Sequence, residues 1–122
     1  KYLKLADVDC YKRALKLSNY VWDVVIEWDY FAKKTVGTQF VRAVDSISAN
    51  IAEGFGWYHK KDKIKFYRYS CGSIDESLDW NQKSKHRKLL LNKQYDHILA
   101  ELKALPREVN YLVKFTRDKL KK

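Results

Sequence analysis

A chain of 122 residues with 46% hydrophobic content is of single-domain size and can bury a core of its own. One proline, four glycines and the lack of any low-complexity run argue against disorder or an internal linker. No apolar run approaches the roughly 20 residues a bilayer requires, and no signal-peptide pattern is present at the start. Lys1 rather than a methionine opens the chain, as expected of a trimmed N-terminus. Two cysteines, Cys10 and Cys71, are too few for a disulfide scaffold and are not spaced for zinc. Both suit small buried hydrophobes, and a reducing, cytoplasmic setting is expected.

The 25 Lys and Arg outnumber the 15 Asp and Glu, and the excess is local. Residues 57–68, 83–93 and 114–122 carry 15 basic side chains against Asp62 and Asp118, a charge of +13, while the remainder of the chain is −3. Charge gathered in this way is a surface feature, suited to a polyanionic or acidic partner.

In chain order, residues 7–28 are predicted to form the first helix. Val8, Tyr11, Leu15, Trp22 and Val25 mark its inner side, widened by Ala14, Val21 and Trp28, and Asp7 or Asp9 is placed to cap it. Residues 29–36 read as a short connection. The second helix starts near Thr35 and runs to about residues 51–53. Its apolar stripe is Phe40, Val44, Ile47, Ile51 and Phe55, and Gly54 and Gly56 read as its stop. The opposite side of this helix carries Arg42, Ser46, Ala49, Asn50 and Glu53, a slim second face.

The third helix is expected over residues 60–83. Ile64, Tyr67, Cys71, Ile74 and Leu78 make one stripe; Phe66, Tyr69, Ser73 and Trp80 make a second, with Arg68, Asp75 and Asp79 between them. Three aromatic residues in one exposed line suggest a contact surface. After a basic loop, Asn92 reads as the N-cap of a fourth helix with the period Tyr95, Ile98, Leu102, Leu105, Val109, Leu112, Thr116, Leu120. Pro106 lies inside that period, which stays in phase on both sides and predicts one kinked helix.

Four amphipathic helices with short connections define an all-α, antiparallel up-down four-helix bundle, a single domain over residues 1–122. Its helices would be roughly 30 Å long. In that topology the 57–68 and 114–122 basic segments share one end, and the 83–93 segment crowns the other.

Catalytic chemistry finds no constellation. Gly54-Phe55-Gly56 follows a helix rather than a strand and lacks phosphate-loop context. His59, His86 and His97 form no metal-binding motif, and His97 with Glu101 reads as a surface pair. Asp75 and Asp79 have no partner histidine, and no serine has an activating base. The expectation is a protein that is not an enzyme and has no cofactor, metal site or catalytic residue. The polar line Arg42, Ser46, Ala49, Asn50 and Glu53 is either a solvated face or a seam against another helix or subunit. The small Ser46 and Ala49 favour the seam, with Phe66, Tyr69 and Trp80 continuing it on the third helix.

Ser46-Ile47-Ser48-Ala49-Asn50-Ile51-Ala52-Glu53-Gly54, with Arg42 upstream, resembles the hallmark of the four-helix bundle proteins encoded in intervening sequences of bacterial 23S ribosomal RNA genes. Gly56, Lys61 and Asp62 fit the entry to the family's third helix, and Cys71-Gly72-Ser73 with Glu76 fits a small-Gly-Ser-x-x-Glu segment within it. Ser48, Asp45 and Trp57 depart from the usual proline, small apolar and basic residues. The resemblance spans nearly the whole chain and implies a cytoplasmic bacterial protein that assembles as a homopentamer. It extends more remotely to the basic accessory variability proteins of diversity-generating retroelements, which partner a reverse transcriptase and bind nucleic acid.

The function expected is therefore a non-catalytic, homo-oligomeric bundle that binds nucleic acid, RNA rather than DNA, by backbone electrostatics. Lys60, Lys61, Lys63, Lys65 and Arg68 are its expected contacts, joined by Lys114, Arg117 and Lys119. Trp57, Tyr58 and His59 lie beside them, placed either to stack on unpaired bases or to pack over the helix turn. The alternative is a protein-interaction scaffold, such as an accessory subunit of a polymerase or a reverse transcriptase.

Overall fold

The computed structural model describes residues 3–121, so Lys122 of the C-terminal basic run lies outside the described residues. Among these the chain is all-helical, with four principal helices and no strand. A 3₁₀ turn, Leu5–Asp7, leads into α1, Asp9–Val25. Helix α2 begins with Tyr30–Ala32, passes through a π-helical turn, Lys33–Gly37, and continues as Thr38–Gly56. Helices α3, Lys60–His86, and α4, Asn92–Lys119, complete the expected antiparallel bundle. Each helix packs on the next in the chain and α4 closes back on α1; the α2–α3 pairing is the most extensive.

The core follows the predicted stripes of α2 and α4. Phe40, Val44, Ile47 and Ile51 are fully buried in one core cluster with Ile98, Leu102, Leu105 and Val109. Fully burying a side chain of this size contributes about 1.5–3 kcal/mol. Helix α4 runs through Pro106 as one element, and Leu120 falls just past its end, partly exposed.

The inner face of α1 differs from the expected one. Cys10, Ala14, Leu17, Ser18, Val21 and Val25 are buried, whereas Leu15 and Trp22 face solvent. Small residues at Cys10, Ala14 and Ser18 let α1 lie close to its neighbours, leaving no room for a tryptophan on that side. Neither Asp7 nor Asp9 caps α1; Val8 holds the cap position without a side-chain bond. The cap function belongs instead to Asp29, whose Oδ1 accepts from the Ala32 amide at 3.1 Å. This starts α2 at Tyr30 and shortens the connection to a few residues. Asn92 likewise lies inside α4, and Gln94 Oε1 accepts from the Leu91 amide at 2.9 Å instead.

Gly54 does not stop α2, which ends at Gly56 with neither glycine at positive φ. Gly54 is a packing residue. A Cβ there would lie 2.7 Å from Tyr67 Cε1 and 2.8 Å from the Lys63 carbonyl, so α2 and α3 approach closely only because that atom is missing. Higher along the same contact, Ser70 Oγ donates to the Ile47 carbonyl at 2.9 Å. The buried face of α3 is thus centred on Ser70, Ser77, Asn81 and Ser84 as much as on Tyr67 and Ile74, and Ile64, Cys71 and Leu78 are only partly buried. The helix runs to His86, past the expected end.

Candidate nucleic-acid interface

The expected meeting of the 57–68 and 114–122 segments is realised by one hydrogen bond. Lys60, in the first turn of α3, donates from Nζ to the carbonyl of Arg117 in the last turn of α4 at 2.8 Å. Lys63 reaches back from α3 and donates to the Phe55 carbonyl at 2.7 Å, its ammonium 5.4 Å from the centre of the Phe55 ring. Both lysines satisfy carbonyls at helix C-termini, where the helix dipole favours a cation. Burial lowers the Lys63 pKa from its ordinary value. Lys63 is therefore partly a structural cap, not a freely displayed charge.

The other predicted basic residues differ in how far they are engaged. Lys65 lies 5.8 Å from the centre of the Phe66 ring, and Arg117 pairs with the adjacent Asp118 at 3.7 Å. Lys61, Arg68, Lys114 and Lys119 are exposed and make no hydrogen bond or ion pair among the described residues. At the opposite end of the bundle the cations are more occupied. Lys83 bonds Asp79 at 2.6 Å and covers the Trp80 ring at 4.7 Å, while Lys85 covers the Tyr95 ring at 4.2 Å.

Between the cations of the first end lies an open cavity of about 740 Å³. Phe55, Trp57, Tyr58, Tyr67 and Phe115 supply its aromatic lining, and Lys63 and Lys121 its charge. Burial raises the Tyr67 pKa to about 12, with a hydrogen bond to Thr116 acting in the opposite direction. Trp57 stacks on Phe66, ring centres 6.0 Å apart and planes 13° from parallel, and Phe66 meets Tyr69 edge-on at 5.4 Å. Three aromatic rings thus climb from the basic end along α3. Tyr58 is exposed and sits edge-on to His59 at 5.0 Å.

The second predicted surface is assembled around α2. Ser46 Oγ donates to the Arg42 carbonyl at 2.8 Å, and Asn50 Nδ2 to the Ser46 carbonyl at 2.9 Å. These bonds stay within the helix, and Arg42 and Glu53 make no ion pair among the described residues. The Ser70–Ile47 bond fixes the register of α2 on α3. Glu53 borders a shallow pocket with Trp57, whose ring stacks on Phe66. Trp80 is partly buried beneath Lys83.

One part of this surface was hidden from sequence reasoning. An apolar groove of about 530 Å³ runs between α1 and α2, lined by Trp22, Val25, Ile26 and Val41 and bordered by Arg42, Ser46 and Ala49. Trp22 is 54% exposed there. The spacing Cys10, Ala14, Leu17, Val21, Val25 signals this arrangement, since it places Trp22 outside the buried line. Asp45 borders the same groove, and burial raises its pKa while a bond from Ser18 lowers it.

Away from both surfaces, Arg13 ties α1 to α4: Nη1 meets Glu101 Oε1 at 2.8 Å and Nε meets Glu108 Oε1 at 3.1 Å. Glu101 is thereby committed to Arg13, and the expected His97–Glu101 pair is replaced by packing of His97 against Tyr20, ring centres 4.4 Å apart. No cluster of three potential metal ligands occurs among the described residues, and no helix there is long and apolar enough to cross a membrane.

Fold and surface together define a four-helix bundle with one cationic, aromatic-walled end. The chain belongs to the 23S rRNA-intervening sequence protein family, whose model matches residues 6–111. The fold is also that of a protein of unknown function from the S23 ribosomal protein family of Bacteroides thetaiotaomicron VPI-5482. That structure superposes with a TM-score of 0.76 at 16% identity, over 86% of this chain and 98% of the other. No curated protein matches the chain at a significant level.

Proposed function

We propose that the protein is a non-catalytic, cytoplasmic RNA-binding bundle that works as a homo-oligomer, with a pentamer favoured, and takes no cofactor. The observation that carries this reading is the basic end itself. Lys61, Arg68, Lys114 and Lys119 are exposed and make no hydrogen bond or ion pair among the described residues, on two helices linked by the Lys60–Arg117 bond. Cations held in this way are available to phosphates, and their binding would release counterions with little reading of sequence. RNA rather than DNA is favoured by the family association. Oligomerisation would bring several such ends onto one particle and multiply the contacts.

A salt titration with a structured RNA tests the proposal. Binding should weaken linearly in log salt, and Lys61→Ala, Lys114→Ala and Lys119→Ala combined should flatten the slope by roughly 0.7–0.9 for each phosphate no longer neutralised. An unchanged slope would remove these residues from the interface. The groove beside Trp22 and Ile26 supports a second reading, a protein-interaction scaffold or accessory subunit of a polymerase or reverse transcriptase. Salt-insensitive capture of such a partner, with no RNA binding, would favour it.

A further inference from the structure

We propose that the open cavity at the basic end seats one unpaired nucleobase of a single-stranded RNA, while the neighbouring phosphates lie on the surrounding cations. This rests on the RNA-backbone reading above and adds the part of the ligand that a backbone-only surface would ignore.

Phe55, Trp57, Tyr58 and Phe115 line an open space of about 740 Å³, ample for a nucleobase. Trp57 and Tyr58 are 44% and 67% exposed, so the aromatic surface is reached from solvent. Bases stack on such surfaces whatever their identity, because each has a π face. Charge supplies the second observation. The cavity is lined by Lys63 and Lys121, no carboxylate of the described residues lines it, and the bonded pair Lys60 and Arg117 lies at the same end. An anionic chain would therefore be drawn to the mouth of an apolar slot, which distinguishes this end from an ordinary lysine-rich surface.

Lys63 supplies a third. Its ammonium has three N–H donors, and the Phe55 carbonyl takes one of them. Lys63 lines the cavity, and its remaining donors are available to a carbonyl oxygen of uracil or guanine. Bases in a continuous duplex are stacked and paired, with no face free to enter. The cavity should therefore favour single strands over duplexes, opposite to the preference that phosphate contacts alone give, since a duplex carries the denser charge.

The test compares three ligands at one salt concentration: an oligouridylate, an abasic strand of equal phosphate count, and a duplex of equal phosphate count. Oligouridylate should bind the wild-type protein about tenfold more tightly than either of the others, as expected for one stacked base. Gly56 lines the cavity, and a Cβ on it meets no atom within 4 Å, so Gly56→Leu adds bulk beside the cavity with no clash at its first side-chain atom. This variant should lose the tenfold preference yet bind the abasic strand unchanged. Trp57→Ala with Tyr58→Ala should do the same and serves as a second route to the answer. Equal binding of all three ligands by the wild type, or a preference that survives both variants, overturns the base seat and leaves backbone binding standing. Failure to bind any of the ligands overturns both.

Discussion

At the scale of single residues, the four-residue run Ile51-Ala52-Glu53-Gly54 takes its meaning from one missing atom. The Gly54 Cβ position is already occupied at 2.7 Å by the Tyr67 ring and at 2.8 Å by a backbone carbonyl, and neither is a flexible tip. Gly54→Ala should gain about 1 kcal/mol of helix propensity but incur overpacking of typically 1–3 kcal/mol or more. A net loss of about 1–2 kcal/mol is expected, read as a lower midpoint in urea denaturation. Gly72 supplies the control. It lies on the exposed side of α3, and a Cβ there meets nothing within 4 Å. Gly72→Ala should therefore stabilise the protein by up to about 1 kcal/mol. If both substitutions moved stability in the same direction, close helix approach at Gly54 would be wrong.

At the scale of elements, helix ends show where local sequence and structure disagree. Helix α3 closes with the Lys88 amide bonded to the Lys85 carbonyl at 3.0 Å and the Leu89 amide to the Ser84 carbonyl at 2.9 Å. This pair of bonds defines a Schellman closure, and its left-handed position is held by Lys88 at φ 60. A side chain in that conformation costs roughly 1 kcal/mol relative to glycine. Lys88→Gly should accordingly raise stability by about 0.5–1 kcal/mol, measured as a higher denaturation midpoint without a change in its slope. The same closure explains why the end of α3 was not legible: no glycine marks it. Helices α2 and α4 were legible because Phe40, Val44, Ile47, Ile51 and the Ile98–Leu112 series carry their burial on large apolar side chains. Helix α1 misled because its buried line is built from small residues while Trp22 and Leu15 are displayed. In α3 the buried Ser70, Ser77 and Ser84 read as polar, although Ser70 and Ser77 return their hydroxyls to helix carbonyls. The basic end was legible as charge, but the inward turn of Lys63 toward Phe55 depends on tertiary contact and left no trace in the pattern.

At the scale of the whole molecule, the net charge of +10 and the proposed assembly oppose one another. Each added copy brings the same cationic end, so association must overcome repulsion that salt screens only beyond a Debye length of about 8 Å at physiological ionic strength. Bound RNA would relieve that repulsion, and by linkage assembly and RNA binding should strengthen each other. The coupling makes opposite predictions for one substitution. Ala49 is exposed on α2 beside the groove and within the proposed seam, so Ala49→Arg leaves the bundle core untouched. If RNA bound to isolated chains, the added cation would leave affinity unchanged or raise it. If RNA binds an assembly that closes through this face, the long side chain blocks the approach of another subunit. Light scattering should then report a particle falling toward the 14.6 kDa chain. RNA affinity should fall about tenfold or more as multivalent binding gives way to binding by single chains, despite the extra positive charge. An intact particle would move the subunit interface away from Ala49. A dissociated particle with undiminished RNA affinity would separate assembly from binding, and the basic end would then act as a site on each chain alone.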